Sequence, residues 1–170
     1  LILLYLTVGY WLGGRVADRW PHPLVLLRLT GAAAVGVGLI PAISRPVLRL
    51  ASLGLDTFDA GVLAGSMGAI LVLFAVPVTL LGCVSPYAVR LAIRDVRGSG
   101  EVAGRISALS TAGSIAGSFL PVLWLIPSIG TRRTFAVLSL ALLVVVILGL
   151  LVQRRRVDVL ALVAAAAVVA

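Results

Sequence analysis

The chain has 170 residues, 61% of them hydrophobic and 12% charged, with a formal charge of +8. A soluble domain averages about 45–50% apolar and about 25% charged residues, so lipid rather than water is the expected solvent. A single cysteine, Cys83, and a single histidine, His22, exclude an internal disulfide, a thiolate metal cluster and a histidine-pair metal centre. All 14 cationic side chains are arginines placed at the ends of apolar runs. Membrane topology explains that placement better than nucleic acid does, so no nucleic-acid partner is expected.

Crossing a bilayer takes about 20 apolar residues. The first apolar segment, 1–14, is too short and reads as a truncated span. The segment 13–20, GGRVADRW, then forms a short charged turn. Asp18 there is expected to bond backbone amides and pair with Arg15 or Arg19, while Gly14 lets a neighbouring helix come close. An ordinary arginine-bearing loop is the plainer alternative. Residues 23–43 make the first complete span, carrying one charge at Arg28 and ended by Pro41 and Pro46. Asp56 or Thr57 is expected to cap the next helix, and Asp56 and Asp59 at its outer mouth read as helix-start acids.

The second complete span, 60–89, has no charge and contains Pro77 and Pro86, which predict a kink. Ser85 and Pro86 form a helix break just before Arg90, suited either to lining a cavity or to packing alone. Arg90, Arg94 and Arg97 share one face of an amphipathic interfacial extension. The third span, 106–127, carries Ser107, Thr111, Ser114 and Ser118 as one hydroxyl stripe. That stripe either lines a solute path or bonds an adjacent helix. Gly113 and Gly117 form a small-xxx-small step for close helix packing. The fourth complete span is 134–152, and 159–170 reads as a second truncated span. Both ends lie inside apolar runs, so further sequence is expected beyond them. Strands of a β-barrel do not fit runs of this length without alternation.

Alternate loops lie on one side. One side collects Arg15, Arg19, Arg28, Arg90, Arg94, Arg97, Arg105 and Arg154 to Arg156; the other collects Arg45, Arg49, Arg132 and Arg133. The richer side is expected to face the cytoplasm of a multi-pass protein of the inner or plasma membrane. No complete span has a carboxylate at its middle, where ion-coupled carriers usually keep one. No nucleotide loop or nucleophile elbow is present, so no catalytic site and no cofactor are expected in this chain.

The runs SPYAVR, GRISALSTAGSIAGSFLP and LIPSIGTRRT, with GYWLGGRVADR upstream, resemble the membrane domain of fused major-facilitator and spermidine-synthase-like proteins. The turn Gly14, Asp18, Arg19 has the spacing of the major facilitator loop signature, although Trp20, Pro21 and His22 depart from its continuation. The resemblance implies an all-α integral membrane protein, a polytopic bundle like half of a major facilitator transporter. It further implies a domain that moves, senses or channels a polyamine-like solute for a fused or neighbouring synthase domain, which is absent from this chain. A lone half is expected to pair as a homodimer. A non-transporting anchor for an aminopropyltransferase domain is the alternative.

Overall fold

The computed structural model describes residues 2–53, 59–93 and 99–153. It is all-helical among these: α1 (Ile2–Arg19), α2 (Pro23–Leu53), α3 (Asp59–Ala92), α4 (Ser99–Leu120), a π-helical turn (Pro121–Leu125), α5 (Ile126–Ile129) and α6 (Thr131–Val152). Four stretches are long and apolar enough to cross a membrane: Pro23–Val47, Met67–Ala92, Ser99–Ile129 and Thr131–Val152. In hydrocarbon every backbone polar group must be satisfied within the segment, which favours such continuous helices.

The same constraint corrects one expectation. Pro41 and Pro46 lie inside α2, which continues to Leu53. Each proline removes one helical hydrogen bond, but ending the helix inside an apolar run would orphan several groups at once. Pro77 and Pro86 are likewise carried within α3. The expected charged turn at 13–20 is also largely helical, since α1 runs through Arg19. The proposed cap at Asp56 or Thr57 lies outside the described residues, as do Arg94, Arg97, Arg154 to Arg156 and the segment 159–170.

α3 is central, with α1 on one flank and α2 on the other, and α2 also packs on α6. Lipid removes most of the hydrophobic drive between helices, so each seam depends on close packing and hydrogen bonds. The α1–α3 seam is built from small residues. Gly9, Gly13 and Ala17 of α1 are buried. A Cβ at Gly9 would lie 2.9 Å from the Gly82 Cα, and one at Gly13 would lie 2.6 Å from the Cys83 Cα. Backbone therefore meets backbone. On the α2–α6 seam Leu27 lies against Gly149 and Ala34 against Ser139, and α6 buries Ser139, Leu143, Val146 and Leu150. Ser139 donates its hydroxyl to the Ala34 carbonyl at 2.7 Å.

α4 leads into a local widening. Pro121 has no N–H to donate, and the Ile126 N–H reaches back five residues to the Pro121 carbonyl. Gly130, at φ 81° and ψ 161°, then reverses the chain in one residue between α5 and α6. That conformation is essentially restricted to glycine. Thr134 secures the start of α6 by bonding the Gly130 carbonyl through both its N–H (3.1 Å) and its hydroxyl (2.9 Å).

Candidate functional site

The charge motif at the end of α1 is completed by α3. The Arg90 Nε donates to Asp18 Oδ1 at 2.9 Å, with both side chains largely in solvent. The expected partners of Asp18 lie elsewhere: Arg15 stacks over Trp11 at 4.1 Å from the ring centroid, and Arg19 approaches Trp20 at 5.5 Å. Such cation–π contacts suit amphipathic tryptophans at a membrane boundary. The close approach expected at Gly14 falls one residue earlier, at Gly13. A Cβ on Gly14 would meet nothing within 4 Å, because Gly14 is turned off the α3-facing stripe of Gly9, Gly13 and Ala17.

Within the SPYAVR run, Ser85 and Pro86 are half-buried inside α3. The residue that organises this region is Tyr87, which is fully buried. Its hydroxyl donates to the carbonyls of Trp20 and His22, the latter at 3.2 Å. These carbonyls belong to the turn between α1 and α2, where the His22 N–H already bonds Trp20 O. Tyr87 therefore ties three helices together beside the Asp18–Arg90 pair. The sequence did carry a signal for it: a tyrosine following a proline near a helix end has a ring to bury and a hydroxyl that requires a partner.

The hydroxyl stripe takes a different position. Ser107, Thr111, Ser114 and Ser118 are all exposed, as are Gly113 and Gly117, and α4 has no buried residue. A Cβ on Gly113 or Gly117 would meet nothing within 4 Å. Thr111 returns its hydroxyl to the Ser107 carbonyl of its own helix at 3.0 Å, a common habit of hydroxyls in apolar helices. Leu109, Phe119 and Leu123 on the opposite face are exposed too. The structure thus joins Asp18 to Arg90 and leaves the stripe and its glycines remote from that cluster. Gly9, Gly13 and Ser139, which make the seams, are the residues that the sequence reading did not single out.

Among the described residues no group of histidine, cysteine and carboxylate side chains is arranged to hold a metal. Comparison with protein-family models, with curated proteins and with solved structures finds no match.

Proposed function

We propose that this chain is a membrane-embedded helical scaffold that anchors a fused or neighbouring domain, of the aminopropyltransferase type that its motifs resemble, without transporting a solute itself. It adopts a half-major-facilitator arrangement in the inner or plasma membrane, with the Asp18–Arg90 end in the cytoplasm. The observation that carries this reading is the way the bundle is closed. α1 meets α3 backbone to backbone at Gly9 and Gly13, and α2 meets α6 through the buried Ser139–Ala34 bond. Such seams leave no room for a hydrated path between those helices. Two cavities are lined by apolar side chains apart from Tyr5 and Thr79, and a third adds two arginines to an apolar wall; these linings suit lipid contact rather than passage of a polyamine cation.

A second reading rests on α4. Its exposed hydroxyl stripe and glycines would be enclosed if two copies met there, giving a full carrier with a polar centre. Purified chain reconstituted in liposomes discriminates the two. The scaffold predicts labelled spermidine uptake equal to that of empty vesicles. Saturable uptake above that level, lost in Gly117→Leu, overturns the scaffold and establishes the paired carrier.

A further inference from the structure

At the end of the bundle opposite Asp18 and Arg90, residues of α2, α3 and α6 line a cleft of about 380 Å³. Its walls are Ile40, Ala69, Leu73, Phe74 and Phe135, with the Phe74 and Phe135 rings 6.3 Å apart at their centroids. Two guanidinium groups, Arg45 from α2 and Arg132 from α6, complete its lining. Among the described residues no acid lines the cleft and neither arginine makes an ion pair. The Ser44 hydroxyl is already bonded to the Pro41 carbonyl at 3.0 Å. The polar character of the cleft is therefore cationic, and its body is hydrocarbon.

We propose that this cleft binds an anionic phospholipid, with an acyl chain between α2, α3 and α6 and the headgroup phosphate held by Arg45 and Arg132. The inference uses only the membrane setting of the proposed function and stands whether the chain anchors or transports. Charge complementarity selects the headgroup. Guanidinium groups pair with phosphate oxygens through directional, charge-assisted bonds, and two of them line this cleft. The apolar walls select the acyl chain, since a phosphate alone gains nothing from Leu73 or the two phenylalanine rings. The cleft is lined by α2, α3 and α6, each of which holds a stretch long and apolar enough to span a membrane, which is where a lipid would meet it.

Native mass spectrometry of the purified, delipidated chain tests this with dioleoyl phosphatidylglycerol and dioleoyl phosphatidylcholine, which share their acyl chains. Wild type should retain the anionic lipid with about tenfold preference, the scale of one or two charge-assisted bonds. Arg45→Gln combined with Arg132→Gln should bring the preference to near unity. Arg133→Gln, whose side chain does not line the cleft, should keep it. Circular dichroism and monodispersity of each variant establish that it is folded, and Ile70→Trp, at a residue that also lines the cleft, provides an independent block by filling the apolar wall. Equal retention of the two lipids by wild type overturns the proposal. So does a preference that survives the double substitution or the filled wall, and so does displacement of the lipid by inorganic phosphate alone, which would make the site a simple anion site.

Discussion

Tyr87 concentrates more structural consequence than any charged residue near it. It is fully buried, and one hydroxyl serves two carbonyls of the α1–α2 turn. Removing that donor loses the hydroxyl's bonds to both carbonyls, each of which keeps a backbone N–H partner, so the loss is that of an ordinary hydrogen bond, about 0.5–1.5 kcal/mol. Tyr87→Phe should therefore lower the unfolding temperature in detergent clearly, as read by scanning fluorimetry. Asp18 is a contrasting case. Its carboxylate is 72% exposed in its pair with Arg90, and exposed pairs contribute about 0.2–1 kcal/mol. Asp18→Asn is expected to shift stability less than Tyr87→Phe does, and a larger loss for Asp18→Asn would contradict this ranking. Gly130 is constrained by its backbone rather than its contacts. Gly130→Ala places a Cβ at φ 81°, which costs on the order of 1–3 kcal/mol.

At the scale of the helices, two glycine pairs with the same spacing have opposite environments. Gly9 and Gly13 face the α3 backbone, whereas Gly113 and Gly117 face open space. Gly13→Val should disrupt the α1–α3 seam, with at least the roughly 1–3 kcal/mol typical of overpacking, since backbone atoms offer no rotamer by which to give way. Gly117→Val should leave the melting temperature of a single chain nearly unchanged. Equal losses for the two would mean that α4 is packed in solution as tightly as α1. The contrast also marks where the sequence stops being informative. Long uncharged runs announce α2, α3, α4 and α6, because the lipid requirement acts on composition. Which small-xxx-small step meets a partner is decided by the fold, since a Gly9–Gly13 step and a Gly113–Gly117 step read alike in one dimension. The same holds for the ion pair: Asp18 had two arginines within reach in the chain, but its partner lies 72 residues away. The prolines of α2 misled for a related reason, as rules for helix ends in water weigh an orphaned carbonyl far less than hydrocarbon does.

For the whole molecule, five of the described arginines separate by end. Arg15, Arg19 and Arg90 gather where α1 and α3 are joined, while Arg45 and Arg132 share the far cleft. In a Cys83→Ala background, a cysteine at Ser99 should be labelled only from the cytoplasmic side, and labelling from outside intact cells would invert the proposed topology. The central claim, that the bundle anchors rather than conducts, meets its most direct test at Ser114. Its hydroxyl lies at the middle of the α4 stripe and faces away from the other helices. In the scaffold it contacts lipid. In a carrier it contacts water and solute. Thiols react with charged thiosulfonates as thiolates, which form only in water. The measurement is labelling of Ser114→Cys, again in Cys83→Ala, by a membrane-impermeant thiosulfonate applied to both faces of liposomes containing the protein. The scaffold predicts no labelling while Ser99→Cys is labelled readily. Rapid labelling of Ser114→Cys that spermidine slows would contradict it.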